Sequence, residues 1–360
     1  MNNSVYQDLR EVLDAIPNGF PPSESGVEME LLKKIFTPEE ARITAQLKLK
    51  YETVDMIAER TGMDKIGLEN KLFEMRDKGQ IFGVQIGSTA LFKMMPFVFG
   101  IYEMQLNRMD QEFIMLAERY WEEVFGKEFY RSGPSILKVL PVEKDLPGGT
   151  EIAPHESLTQ IIGNAKSWAV GDCICKKEKM MRGHKCDRPM EVCMAFAPID
   201  NYFDNFFWGR PITKEDAFRI LDEAEDAGLV HMVTNVREGQ YYVCNCCECC
   251  CGMLKGINKF GFNDAVGRSR FVAVVDEELC TSCGACLDRC QVSAIELEEA
   301  TKVNGKCLGC GLCVSACPSG AIAMRVRDEK DIEYVPKDER EWLKLRAESR
   351  GAGDGYRKLL

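Results

Sequence analysis

The residues best equipped for chemistry in this chain are cysteines. Cys280, Cys283, Cys286 and Cys290 follow an x2, x2, x3 spacing, and the same spacing returns at Cys307, Cys310, Cys313 and Cys317, which Pro318 follows. A cubane iron–sulphur cluster needs four thiolates at the corners of a tetrahedron. A tight Cys-x2-Cys-x2-Cys loop supplies three, and a distant cysteine closes the fourth corner. Where two such runs share a chain, the fourth ligands are exchanged between them. Cys280, Cys283, Cys286 and Cys317 are therefore assigned to one [4Fe–4S] cluster, and Cys307, Cys310, Cys313 and Cys290 to another. Gly284, Gly309 and Gly311 suit a backbone that must wrap a cluster closely. Structural zinc is the competing use of Cys-x2-Cys pairs, but a duplicated run of four at this spacing is far more specific to clusters.

A second concentration lies upstream, where Cys173, Cys175, Cys186 and Cys193 precede the run Cys244, Cys246, Cys247, Cys249, Cys250 and Cys251. A buried free cysteine behaves as a small hydrophobe, yet six within eight residues would present thiols on every face of any element. Soft thiolates select zinc or iron–sulphur centres. At least one further iron–sulphur cluster is expected here, with zinc as the alternative, because the chain already carries cluster motifs. Cys173, Cys175, Cys186 and Cys193 form a self-contained quartet, with His184 as a substitute ligand or a solvent-facing side chain. The Cys244–Cys251 run has more thiols than one cubane uses. It shares ligands with that quartet, holds its own cluster, or keeps thiols free for chemistry. Between the two groups, Tyr202, Phe203, Phe206, Phe207 and Trp208 are either plain core or a sheath that keeps water from a cluster.

From Phe271 to Arg327 the chain resembles the bacterial-type dicluster ferredoxins, departing from them at Gln291, where a proline usually follows the first run. Cys250-Cys251-Gly252 is similar to the CCG elements of heterodisulphide reductases, without their wider spacing.

Other elements must position these residues. The 360 residues are 45% hydrophobic and 29% charged, enough to bury two or three cores. Eighteen cysteines, with no basic start or apolar run at the N-terminus, point to a reducing cytosol. No stretch approaches the length of a membrane span. An amphipathic helix (Val5, Leu9, Val12, Leu13, Ile16) forms an arm before the linker Pro17–Pro22. Thr37-Pro38-Glu39-Glu40 starts a helix, Thr53 caps a second, and Asp64 starts a third that carries Ile66, Leu68, Leu72, Phe73 and Met75 inward. Gln80–Val84 and Ala90–Met94 read as a hairpin. Met29 to Met95 resembles the winged-helix domains of bacterial regulators, which implies DNA binding. Eleven acidic residues against eleven basic ones over Glu28–Lys93 argue against that, since affinity for DNA comes largely from cations on phosphates. Protein docking or dimerisation is the use expected of this module, with a passive structural role as the alternative.

Phe97–Phe125 reads as one long helix. A loop-rich boundary lies near Gly133, with a strand at Ile136–Val142. A helix over Ser157–Ala165 and a strand at Trp168–Val170 lead to Cys173. A helix from Thr213 to Gly228 and a hairpin (Leu229–Val233, Gln240–Val243) deliver Cys244, suggesting a repeat of the helix-plus-wing unit. The expected class is α+β and multidomain: a winged-helix-like domain with arm and following helix (1–132), a cysteine-rich α+β middle domain (133–263), a ferredoxin-type dicluster domain (264–327) and a charged helical tail (328–360).

Walker A, G-x-G-x-x-G, haem-attachment and G-x-S-x-G motifs are absent, so electrons are exchanged with another protein or end on a substrate at the middle domain. The whole order resembles a group of multidomain 4Fe–4S-binding proteins of strict anaerobes. That resemblance implies a low-potential electron carrier for a partner oxidoreductase, with the extra domains selecting the partner and a homodimer through the N-terminal domain among the associations open to it. A reductase acting at middle-domain thiols and a cluster-sensing regulator are the alternatives.

Overall fold

The computed structural model describes residues 2–204, 208–297 and 301–360. Phe206 and Phe207 lie outside the described residues. The chain divides into two compact units, Met1–Ser132 with Leu343–Leu360, and Gly133–Trp342.

The first unit opens with α1 (Asn2–Ala15), α2 (Val27–Ile35) and α3 (Pro38–Thr44), followed by β1 (Glu52–Thr53), α4 (Val54–Thr61), α5 (Lys65–Asp77), β2 (Phe82–Ile86) and β3 (Thr89–Lys93). Thr37 and Glu40 form a reciprocal capping box at α3, and Thr53 and Asp64 cap α4 and α5 through their side chains. The strands order β1-β3-β2, with β2 and β3 an antiparallel hairpin turning at Gly87-Ser88. Leu68, Leu72 and Met75 of α5 are buried as expected, but Ile66 is 75% exposed, because it sits in the first turn on the outer face.

Two expectations fail in this unit. The N-terminal segment is no free arm, since Leu9, Leu13 and Ile16 are fully buried. The helix expected from Phe97 begins only at Asp110, whose carboxylate accepts from Phe113 N–H, and runs through α7 (Gln111–Tyr120), after the short α6 (Tyr102–Met104), to α8 (Gly126–Arg131). Non-helical backbone at Val98, Phe99 and Gly100 breaks the earlier part.

The C-terminal helices Glu339–Ser349 and Gly353–Leu359 complete the chain. Arg346, with none of its surface exposed, donates to the carbonyls of Phe129 at 2.6 Å and of Ser132, satisfying groups that the end of α8 leaves unpaired. Arg350 donates to the Asp14 carbonyl at the end of α1 at 2.8 Å and, at 3.0 Å, to the Ile16 carbonyl, which also accepts from Gly19 N–H, and it pairs with the Asp14 carboxylate at 2.9 Å.

The second unit contains β4 (Leu137–Leu140), α9 (Leu158–Asn164), β5 (Ser167–Asp172), α10 (Ile174–Met181), β6 (Glu191–Ala197), β7 (Arg210–Ile212), α11 (Lys214–Asp226), β8 (Val230–Thr234), β9 (Tyr242–Cys246) and α12 (Gly252–Asn258). Its antiparallel sheet runs β4-β8-β9-β6-β5-β7. The expected repeat of a helix and wing is therefore absent: β8 and β9 are inner strands of a six-stranded sheet. The amphipathic α11 buries Ala217, Ile220, Leu221 and Ala224. Ile220 and Leu221 pack with Val170, Met194, Val233 and Val243 of the strands, each such side chain contributing about 2 kcal/mol.

The chain then makes β10 (Phe271–Val275), α13 (Ala285–Arg289), β11 (Ile295–Leu297), β12 (Thr301–Val303), α14 (Leu312–Ser315) and β13 (Ile322–Val326). β10 pairs with β13 and β11 with β12. The two short helices thus sit in equivalent places, each entered through a left-handed glycine, Gly284 or Gly311. Among the described residues no helix is long and apolar enough to cross a membrane.

Candidate metal centres

In the C-terminal segment one open cavity is lined by Cys280, Cys283, Cys286 and Cys317 together with Thr301, Ser319 and residues of the Thr281–Ala285 loop. The fourth thiol thus comes from the second run. The Thr301 hydroxyl lies 3.3 Å from Cys280 Sγ and, with backbone N–H groups, holds that thiol below its ordinary range. Burial works against ionisation of Cys317, but the Ser319 hydroxyl and the N–H groups of Ala321 and Ile322 outweigh it. Donors aimed at thiolates are what an iron–sulphur site requires.

The other four thiols also converge. Burial pushes Cys310 up to about 12, and the charges of Cys307 and Cys290 add to it. Cys313 is raised by burial and by Cys310, Cys307 and Cys290. Ala294 N–H donates to Cys290 Sγ at 3.2 Å. Cys307 and Cys313 are buried and Cys290 and Cys310 half-buried, and the raised Cys310 and Cys313 thiols fit a site whose missing charge is a cationic iron core. Gly309 is required here: at φ +72° any Cβ would stand 2.0 Å from the Phe271 carbonyl oxygen.

The two sets differ in exposure. Cys283 is exposed and Cys280 and Cys317 are half-buried. On the other side, Val142 N–H donates to the Cys310 carbonyl at 2.9 Å, and Arg327 donates to that of Cys307 at 2.6 Å.

In the middle region the ten cysteines sort into six and four. The side-chain period of two in β9 puts Cys244 and Cys246 on one face. The β6–β9 register pairs Met194 with Val243, so Cys193 falls opposite Cys244. Cys173 and Cys175 follow the β-bulge that ends β5, and Cys251 precedes α12. Thiol contacts run Cys175–Cys173–Cys193–Cys244–Cys246–Cys251, and the two ends of the series stand near enough for Cys251 to raise Cys175. Within this series the contacts with Cys193 and Cys246 pull Cys244 down to about 5.

The remaining four are Cys186, Cys247, Cys249 and Cys250, whose Sγ atoms all lie within 4.8 Å of one another. Three come from the turn after β9, where Cys251 N–H bonds the Cys247 carbonyl at 3.0 Å. Cys186 arrives from the loop after α10. Cys173, Cys175, Cys186 and Cys193 of the expected quartet pack in one core cluster with Cys247, Cys249 and Cys250, but only Cys186 joins the tight group, because the bulge and β6 carry the other three towards β9 while the loop carries Cys186 to the turn. His184 is exposed and outside this group.

Two cations that the sequence reading passed over attend these thiols. Arg188 Nη1 donates to Cys249 Sγ at 3.8 Å. Lys176, 1% exposed, donates to the Pro189 carbonyl at 2.6 Å, and its charge favours ionised Cys173 and Cys247. A basic residue set among clustered cysteines was the available signal. Of the aromatic segment, Phe203 is buried in a small cluster with Ala169 and Ala197.

Residues 273–324 match the family model of the 4Fe-4S dicluster domain. No curated protein and no solved structure matches the chain. The dicluster segment supports an iron–sulphur electron-transfer role.

Proposed function

We propose that this protein is an electron carrier for a partner oxidoreductase in an anaerobe, with one [4Fe–4S] cluster on Cys280, Cys283, Cys286 and Cys317 and a second on Cys290, Cys307, Cys310 and Cys313. The observation that carries this reading is the convergence of each quartet inside the segment that matches the dicluster domain. Such clusters, when bound, supply one-electron transfer at low potentials set by burial and by hydrogen bonds to sulphur. The chain's own residues provide those settings: Thr301, Ser319 and nearby N–H groups stabilise thiolate at Cys280 and Cys317. Exposed Cys283 marks the side on which a partner docks. The middle-region thiols bind at least one further metal centre. Met29–Met95 serves as a winged-helix-type docking or dimerisation module, a reading supported by three helices followed by an antiparallel hairpin.

The test is metal and acid-labile sulphide analysis of the full chain purified without oxygen. At least about eight irons and eight sulphides per chain are expected, with electron paramagnetic resonance signals of reduced [4Fe–4S] clusters on one-electron reduction. A folded protein holding zinc and no sulphide overturns the reading.

A further inference from the structure

We propose that Cys186, Cys247, Cys249 and Cys250 bind a single tetrahedral metal ion without sulphide, as a centre separate from the six other thiols of the middle region. The inference rests on the reading that this region binds metal, and it adds how the thiols are divided and how many metals the smaller set takes.

The distances decide the nuclearity. Cys249 Sγ lies 3.5 Å from Cys247 Sγ, 3.6 Å from Cys250 Sγ and 3.8 Å from Cys186 Sγ. A tetrahedron of thiolates at about 2.3 Å from one zinc-sized ion has edges of about 3.8 Å. A cubane places its irons between the thiolates and spreads them further apart. The molecule carries its own comparison: among the described residues, neither C-terminal quartet gathers its sulphurs within 4.8 Å, and this one does. The other six thiols form a series with no such point of convergence.

Charge agrees with one divalent ion. Four thiolates around it leave two negative charges in a partly buried site, where unpaired charge is costly. Arg188 on Cys249 and buried Lys176 near Cys247 supply two positive charges. Thiolate donors in this geometry take zinc or iron, and both satisfy the proposal.

The experiment compares full-length wild type with Cys186→Ser and Cys193→Ser, purified anaerobically and assayed for zinc, iron and acid-labile sulphide. Wild type is expected to hold one metal ion per chain beyond those matched by sulphide. Cys186→Ser is expected to lose that ion with sulphide unchanged, and Cys193→Ser to keep it. Should a variant fail to fold, wild type alone decides. X-ray absorption at the zinc edge then shows four sulphurs at about 2.3 Å and no metal neighbour, or Mössbauer spectroscopy of iron-57 protein shows one isolated iron site. Loss of iron and sulphide together from Cys186→Ser, or loss of the same ion from Cys193→Ser, overturns the separation. Wild type with no metal beyond the two C-terminal clusters overturns it along with the broader reading that this region binds metal.

Discussion

The side chain of Gln291 accepts a hydrogen bond from the backbone N–H of Glu248 at 3.0 Å, joining the residue after Cys290 to the residue between Cys247 and Cys249. Gln291 is 2% exposed, and its own carbonyl accepts from Asn258 of α12 at 3.0 Å. The position where this chain departs from the ferredoxin pattern is therefore a joint between the cysteine-rich turn and the dicluster segment. Proline there cannot accept from Glu248. Gln291→Pro is expected to destabilise the protein by about 1–3 kcal/mol, the cost of stranding a buried donor, in anaerobic urea unfolding. An unchanged midpoint rejects the joint.

Cys317→Ser is expected to perturb the site of Cys280, Cys283 and Cys286 and to spare that of Cys290, Cys307, Cys310 and Cys313, because Cys317 lines the first cavity. Cys290→Ser is expected to do the reverse. Electron paramagnetic resonance of the reduced variants separates the two; loss of the signal from the Cys307 set in Cys317→Ser contradicts the crossed arrangement.

The first unit is expected not to bind duplex DNA tightly. The cations of α5 and of the residue that follows it are already paired: Lys65 with Asp55 at 2.5 Å, Lys71 with Glu74 at 2.7 Å, Arg76 with Asp77 at 2.6 Å and Lys78 with Glu40 at 2.8 Å. Little counterion release is left to gain. A mobility shift persisting at about 150 mM salt with a Kd near 10⁻⁸ M would favour a regulator instead.

Lys138 in β4 is 2% exposed, and its Nζ has no hydrogen-bond partner among the described residues. Burial lowers its pKa to about 8, against partial compensation from Glu156. Between that value and the unfolded value of about 10.4 the unfolded chain holds more protons, so this group's contribution to stability rises with pH across that window and is at its worst below it. Lys138→Met is expected to be more stable than wild type at pH 7 by about 2–3 kcal/mol, with the gap closing towards pH 10. A gap independent of pH would show that the lysine is not held in this way.

Removing Arg346 is expected to loosen the first unit. The guanidinium is buried against the Phe129 ring and satisfies the Phe129 and Ser132 carbonyls, and burial lowers its pKa to about 9. Arg346→Met keeps most of the volume and strands both carbonyls, at a cost of about 2–4 kcal/mol. Thermal unfolding of the variant measures this, and an unaltered Tm would refute it.

Local chemistry made much of this protein legible in its sequence. Capping residues at Thr37, Thr53, Asp64, Ser157 and Thr213 each mark a helix start, because a side-chain oxygen next to an orphan N–H acts within three residues. The C-terminal cysteine spacing likewise names its chemistry, since three of four ligands come from one tight loop. The division of the middle cysteines into six and four is different in kind. It depends on which residue of β6 stands opposite Cys244, on a bulge after Gly171, and on where the loop after α10 carries Cys186. Strand register and loop path are set by packing of the whole sheet, so sequence neighbours such as Cys250 and Cys251 end in different groups. The same holds for Arg346 and Arg350, charged residues in a tail whose burial is decided by helix ends more than two hundred residues away.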